Sequence, residues 1–202
     1  MAITVSPSTG RMHPLYRTLL ADARFHELLL AFDRDLAAAA RAAGCARCGG
    51  VVHSARFRRK PRGGPGGLGE EYAQRFSFCC SVDLCRSRKT PPSFRFLGRK
   101  AWLGAVVVLV AAMRQEATAT RQLTELFGVS RRTVRRWRTW WGSAFAASPF
   151  WKLAAAAFMP PVDRSRLPAS LLERFAGDAA ARLVALLRFI LPISGGAAMH
   201  AA

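Results

Sequence analysis

Acidic residues are scarce in this chain of 202 residues. Its 12 Asp and Glu residues stand against 31 Lys and Arg residues, so the formal net charge at pH 7 is +19. A surface of this charge attracts polyanions and raises their local concentration. The composition therefore favours nucleic acid as the partner, with an anionic membrane surface as the second candidate.

Lysine is nearly missing as well, so most of the positive charge is arginine. The few lysines are Lys60, Lys89, Lys100 and Lys152. The planar guanidinium group of arginine fits phosphates and guanine edges. A GC-rich genome, which favours arginine codons, explains the excess of arginine over lysine equally well, but it does not explain why acidic residues are few.

Long apolar segments are also missing. The longest, Ala101–Met113, lies between two basic residues and is shorter than the roughly 20 residues that a bilayer requires, so it predicts a buried helix. The first residues, Met1 to Arg17, contain no apolar core of a signal peptide. We therefore expect a cytoplasmic, nucleoid-associated protein without a membrane partner. In a reducing compartment its five cysteines are better metal ligands than disulfide partners.

Familiar catalytic motifs are not found either. The sequence has no recognisable Ser-His-Asp arrangement, P-loop or HExxH motif. It therefore predicts a protein that is not an enzyme and that has no evident small-molecule substrate.

The cysteines fall into two groups. In Cys45-Ala-Arg-Cys48-Gly-Gly, two residues separate the thiolates, so one tight turn can present both sulfurs to one ion. The second group contains Cys79, Cys80 and Cys85. Two such turns on a small β-ribbon predict a closed structural site in which four thiolates hold Zn²⁺.

The choice of the third ligand rests on strand alternation. Phe78 and Cys80 share one face of a predicted strand with Phe76, whereas Cys79 lies on the other face. Cys79 stays the alternative, and His53 can replace one ligand. No thioredoxin-like βαβ pattern surrounds the first cysteine pair, which disfavours a redox role. The favoured ligands are Cys45, Cys48, Cys80 and Cys85.

A basic segment connects the two cysteine groups: Arg56-Phe-Arg-Arg-Lys60-Pro-Arg62-Gly-Gly. Its glycines predict a flexible loop. A phosphate-contacting arm and a solvated loop without a ligand explain it equally well. On the first interpretation, the candidate DNA contacts are Arg58, Arg59 and Lys60.

Hydrophobic periodicity predicts helices on both sides of this region. The expected fold is mainly α with a small β zinc ribbon, and a tri-helical helix-turn-helix with flanking helices. The predicted strands are Val51–Phe57 and Gln74–Cys79. The predicted helical regions are Pro14–Ala43 (ended by Gly44), Gly98–Arg114, Ala119–Phe127, Arg131–Trp141 and Ala169–Leu191 (stopped by Pro192). The predicted segments are an N-terminal helical segment (1–44), the ribbon (45–96), the helix-turn-helix domain (97–142) and a C-terminal helical segment (143–202).

The segment 121–138 is typical of a helix-turn-helix. A short helix with an apolar face precedes Gly128, which allows a tight turn at positive φ. Val129 fills the angle between the helices, and Ser130 caps the next helix with its hydroxyl group. Three helices joined by such a turn form the unit that reads DNA.

The helix that follows Ser130 has two different sides. At 100° per residue, Val134, Trp137 and Trp141 face the core. Several arginines face outward, where the major groove offers phosphates and guanine edges. An ordinary helix pair with a solvated basic side is the alternative. The predicted DNA contacts are Ser130, Arg131, Arg132, Thr133, Arg135, Arg136 and Arg138.

The order of these motifs resembles the N-terminal DNA-binding half of bacterial insertion-sequence transposases. It comprises a zinc ribbon, the strand end Arg88-Lys-Thr90-Pro-Pro, a helix and a Gly-Val-Ser-x-x-Thr-Val helix-turn-helix, over roughly Cys45 to Trp141. The resemblance implies terminal-repeat or mobile-element DNA as the target.

Those transposases continue into a catalytic domain with three carboxylates that hold two Mg²⁺ ions. After Trp141, the only acidic residues in this chain are Asp163, Glu173 and Asp178. The resemblance therefore implies a stand-alone DNA-binding relative without that domain.

The leading interpretation is a sequence-specific binder of double-stranded DNA, either a transcriptional regulator or a transposition accessory factor. The apolar stripe of the last helix makes a homodimer a further expectation. The alternatives are a zinc-dependent scaffold, an RNA-binding protein, and a metal-dependent nuclease or transposase that uses the scattered carboxylates.

Overall fold

A computed structural model describes residues 14–97, 102–112, 125 and 127–195. The N-terminal segment forms α1 (Pro14–Ala21) and α2 (Ala23–Ala42). Asp22 lies between them and caps α2, since its carboxylate accepts a hydrogen bond of 2.9 Å from the backbone N–H of Arg24. Gly44 follows α2 with a φ of +65°, as the predicted end of this helix requires.

Five short strands form two antiparallel sheets. They are β1 (Val52–Ser54), β2 (Phe57–Arg58), β3 (Gln74–Arg75), β4 (Phe78–Cys80) and β5 (Arg88–Lys89). One sheet has the order β1-β4-β5, with Val52 opposite Cys80 and Phe78 opposite Lys89. In the other sheet, β2 pairs with β3. The two predicted strands therefore pair with each other, but each is divided into two short pieces.

The centre of the molecule is α3 (Gly104–Ala112), in which every residue except Ala112 is buried. The described residues 104–112 of the longest apolar segment therefore form a buried helix, whereas Trp102 and Leu103 before them lie in β-bridges. None of the described helices is both long and apolar enough to cross a membrane. The next described helix, α4 (Arg131–Trp140), packs against α3 and continues into one π-helical turn, Trp141–Phe145. Most of the predicted helix Ala119–Phe127 lies outside the described residues.

The C-terminal part of the described chain contains four short helices and two 3₁₀ turns. The helices are α5 (Pro149–Ala154), α6 (Ala169–Leu172), α7 (Ala179–Phe189) and α8 (Leu191–Ser194), and the 3₁₀ turns are Ala155–Ala157 and Arg164–Arg166. Side chains from all four predicted segments contribute to one hydrophobic core, to which they supply, for example, Leu29, Phe76, Val106 and Leu183.

The prediction of one continuous helix over Ala169–Leu191 is wrong. The first helix ends at Leu172, and Gly177 has a φ of +102° in the non-helical segment that follows. Asp178 starts a new helix by accepting a hydrogen bond of 2.8 Å from the N–H of Ala181. Pro192 does not stop the helix as predicted. It lies in the first turn of α8, where a missing N–H costs no hydrogen bond.

The apolar stripe of α7 packs inside the chain. Leu183, Leu186 and Leu187 are buried, and α7 packs against α1 and α3. The residues that suggested a dimer interface are therefore covered by the chain's own core.

A buried ion pair joins α2 to the ribbon. The side chains of Asp33 and Arg95 are 1% and 0% exposed, and Arg95 Nε donates a hydrogen bond of 2.8 Å to Asp33 Oδ2. Asp33 also accepts hydrogen bonds from the Ser93 hydroxyl (2.5 Å) and the Phe94 N–H (2.6 Å). The remaining guanidinium N–H groups of Arg95 donate to backbone carbonyls of the segment that leads into β3. Both buried charges are therefore compensated by an opposite charge and by hydrogen bonds.

Candidate functional site

Four cysteine side chains meet at one end of the three-stranded sheet. Their sulfur atoms all lie within 4.8 Å of one another, and the four residues are Cys45, Cys48, Cys80 and Cys85. The Sγ atoms of Cys45 and Cys85 are 3.7 Å apart, and those of Cys48 and Cys80 are 3.4 Å apart. A tetrahedral ion with metal–sulfur bonds of about 2.3 Å needs sulfurs about 3.8 Å apart. The four-sulfur group is therefore shaped to hold a metal ion.

Two tight turns hold these sulfurs in place. In the first, the N–H of Cys45 donates to Gly50 O (2.9 Å), and the N–H of Gly49 donates to Cys45 O (2.8 Å). In the second, the N–H of Cys85 donates to Val82 O (2.9 Å), and Arg86 has a φ of 42°. The backbone hydrogen bonds of the two turns therefore hold the cysteines in position.

Gly50 lies against the sulfurs. A Cβ atom at this position would be 2.8 Å from Cγ2 of Val82, 3.3 Å from the Cys48 sulfur and 3.4 Å from the Cys80 sulfur. A side chain here would displace Val82, the residue that closes the second turn. Gly50 is thus favoured by its close approach to the sulfurs, whereas Gly49 before it has a positive φ of +71°.

The thiol of Cys45 ionises more readily than an ordinary thiol. Hydrogen bonds from the backbone at Arg47 and Cys48 stabilise the thiolate and lower the pKa of Cys45 to about 6. Metal ligation requires the thiolate form, and the pKa is shifted toward that form only at Cys45, since the pKa values of Cys48, Cys80 and Cys85 are raised.

The fifth cysteine and the histidine alternative lie outside the four-sulfur group. Cys79 is partly exposed, and its thiol donates to the Arg86 carbonyl at 3.6 Å. His53 is exposed and lies opposite Cys79 in the β1–β4 pair. Adjacent residues of a strand point to opposite faces, which separates Cys79 from Cys80.

The described part of the predicted helix-turn-helix has the local geometry expected from sequence. Gly128 has a φ of +61°, and Val129 is fully buried. Ser130 caps α4, since its hydroxyl oxygen accepts a hydrogen bond of 3.3 Å from the N–H of Thr133. The hydroxyl groups of Ser130 and Thr133 are 3.0 Å apart. Both hydroxyls therefore lie at the start of the arginine-bearing helix.

The two sides of α4 differ as predicted. Val134 and Trp137 are buried on the core side, together with Trp141 in the following turn. Trp137 packs edge to face against Trp102, with ring centroids 5.5 Å apart. Arg138 is half-buried, and burial lowers its pKa. The exposed arginines of α4 are Arg131, Arg132, Arg135 and Arg136.

Some side chains of the basic segment between the cysteine groups form contacts within the protein. Arg58 is exposed but lies 3.9 Å from a carboxylate oxygen of Glu70. Arg59 is half-buried, with its guanidinium carbon 5.5 Å from the ring centroid of Phe57. Lys60 is exposed. No periodic pattern in the sequence distinguishes these three residues from one another. Their different environments become visible only from the tertiary contacts.

The carboxylates of the C-terminal segment have local partners. Asp163 accepts hydrogen bonds from Ser165, which lower its pKa, Glu173 pairs with Arg166 at 2.7 Å, and Asp178 caps α7. Within the described ranges, the four-cysteine group is the only set of His, Cys, Asp or Glu side chains spaced to hold a metal ion.

Comparison of the chain with protein families, with curated proteins and with solved structures finds no match.

Proposed function

We propose that the protein binds double-stranded DNA through α4, and that a structural Zn²⁺ ion held by the four-sulfur group stabilises the adjoining ribbon. One observation carries the proposal. The side of α4 that bears Val134 and Trp137 is fixed in the core, while four arginines on the other sides are exposed. A rigid helix that presents guanidinium groups to solvent is suited to the major groove of a duplex.

The chemistry of the ligands favours Zn²⁺. Soft thiolates in a tetrahedral arrangement select Zn²⁺ or iron–sulfur chemistry over hard cations such as Mg²⁺. The two turns and the glycine contact leave a closed site with four thiolates, which is typical of structural zinc. Such an ion would stabilise the ribbon without taking part in a reaction.

The start of α4 supplies a further feature that favours phosphate binding. Backbone N–H groups at a helix N-terminus attract anions, and the Ser130 and Thr133 hydroxyls lie there. Arg131 and Arg132 belong to the same first turn. In this proposal the hydroxyl groups of Ser130 and Thr133 contact backbone phosphates. The four exposed arginines of α4 reach base edges or the adjacent phosphates.

The resemblance to insertion-sequence transposases adds a target class to this proposal, namely the terminal repeats of a mobile element. In that case the protein acts as a transposition accessory factor, and otherwise as a transcriptional regulator. A homodimer would read a site with two-fold symmetry.

A scaffold is the second candidate function, because apolar side chains are exposed beside the four-sulfur group. Leu84 is 99% exposed, Val51 is 68% exposed and Val82 is 43% exposed. Apolar side chains gathered at the end of a ribbon are typical of a protein contact. In this alternative the exposed arginines of α4 do not bind a partner.

Selection from a random duplex pool, in the presence of zinc and at defined salt concentration, tests the DNA-binding proposal. We expect an enriched sequence motif and an affinity that falls steeply with salt. Neutralising about four phosphates gives a slope of about −3.6 in log K against log salt concentration. An RNA hairpin of the same length is the comparison ligand. No enrichment together with a flat salt response would contradict the proposal and favour the scaffold.

A further inference from the structure

The glycine-containing loop after Lys60 is held against α3. The N–H of Leu103 donates to Arg62 O at 3.1 Å, and Arg62 forms a parallel β-bridge with Trp102. Gly63 has a φ of +89°, and a Cβ atom there would lie 2.8 Å from Cγ2 of Val106. The glycines therefore bring the loop close to the buried helix, in contrast to the flexible arm that the sequence predicts.

Successive side-chain contacts connect this loop with α4. The guanidinium carbon of Arg62 lies 6.0 Å from the ring centroid of Trp102. Trp102 also packs edge to face against Trp137 of α4, with ring centroids 5.5 Å apart. Trp102 therefore contacts both Arg62 and α4, and a cation such as Arg62 is attracted to the face of an indole ring.

The basic side chains of this segment differ in whether a carboxylate already pairs with them. Arg56 and Arg58 lie near Glu71 and Glu70, at 3.7 Å and 3.9 Å. Arg62 is exposed, and it forms no ion pair with any carboxylate of the described residues. The same is true of Lys60. Arg62 and Lys60 are therefore exposed charges of this segment that no carboxylate of the described residues pairs with.

We propose that Arg62, positioned by Trp102, contacts a phosphate at the edge of the DNA groove that α4 enters, and that Lys60 adds a second phosphate contact. This inference rests on the DNA-binding function proposed above. The major groove is about 12 Å wide, so the phosphates that border it pass beside any helix within it. A cation at the flank of α4 is placed to meet that border. The loop and the helix then form one continuous DNA-binding surface.

The first test compares Arg62→Gln with Arg41→Gln, a matched loss of one exposed charge from α2. We expect Arg62→Gln to reduce the salt slope of duplex binding by about 1 and to weaken binding equally for selected and scrambled duplexes. Arg41→Gln should leave the slope unchanged. A wild-type slope retained in Arg62→Gln would overturn this inference but not the proposed function, whereas a wild-type protein without salt-dependent binding would overturn both.

The second test addresses the positioning role of Trp102. We expect Trp102→Ala to reduce the salt slope as Arg62→Gln does, and the double variant to show no further reduction. Trp102→Phe keeps an aromatic face and should restore most of the slope. Thermal unfolding shows that each variant is folded at the assay temperature. Additive losses in the double variant would mean that Trp102 does not act through Arg62.

Discussion

Replacement of Cys80 by Ser is expected to abolish metal binding and to unfold the ribbon, whereas the same change at the neighbouring Cys79 should do neither. Cys80 is one of the four clustered sulfurs, while Cys79 lies outside the cluster. Structural Zn²⁺ sites contribute about 10 to 16 kcal/mol of apparent binding free energy at neutral pH. Loss of one thiolate removes much of that contribution, and part of the ribbon core with it.

Native mass spectrometry and thermal unfolding measure this effect. We expect one zinc ion per chain in the wild type and in Cys79→Ser, and none in Cys80→Ser. A chelator should lower the unfolding temperature of the first two proteins to that of Cys80→Ser. If Cys79→Ser lost the metal while Cys80→Ser retained it, the assignment of the four ligands would be wrong.

Replacement of Asp33 by Ala should destabilise the folded protein by about 3 to 5 kcal/mol, because it leaves the Arg95 charge buried without its partner. The Ser93 hydroxyl and the Phe94 N–H lose their acceptor in the same change. Asp35→Ala is the matched control, since Asp35 lies on the same helix and is exposed. Exposed positions without such contacts change stability by about 0.5 kcal/mol or less.

Urea unfolding at neutral pH gives the free energy of unfolding for both variants. The double variant Asp33→Leu with Arg95→Met removes both charges, and we expect it to be more stable than Asp33→Ala. Equal stability of Asp33→Ala and Asp35→Ala would show that the buried ion pair does not hold α2 to the ribbon.

Several structural features could be predicted from short stretches of the sequence. The start of α4 follows from the succession of Gly128, Val129 and Ser130, because a positive φ, a buried apolar contact and a hydroxyl cap each depend on a few neighbouring atoms. The buried helix α3 follows from its uninterrupted apolar composition. The grouping of four cysteines follows from their spacing and from strand alternation.

Long-range contacts could not be predicted in this way. Asp33 and Arg95 are 62 positions apart, and no periodic pattern connects an acidic residue of a helix with an arginine beyond the ribbon. The approach of Gly63 to Val106 likewise depends on how the loop folds over α3. The break between Leu172 and Ala179 is not predicted, because the hydrophobic spacing continues across it although the helical backbone does not.

The most direct measurement of the central claim compares the salt slope of duplex binding in two triple variants of equal charge. One carries Gln at three exposed positions of α4: Arg132, Arg135 and Arg136. The other carries Gln at three exposed positions of α1 and α2: Arg17, Arg24 and Arg41. We predict that the α4 variant loses about 2 to 3 units of slope and its preference for the selected sequence, while the other retains both. Equal losses in the two variants would contradict DNA recognition by α4.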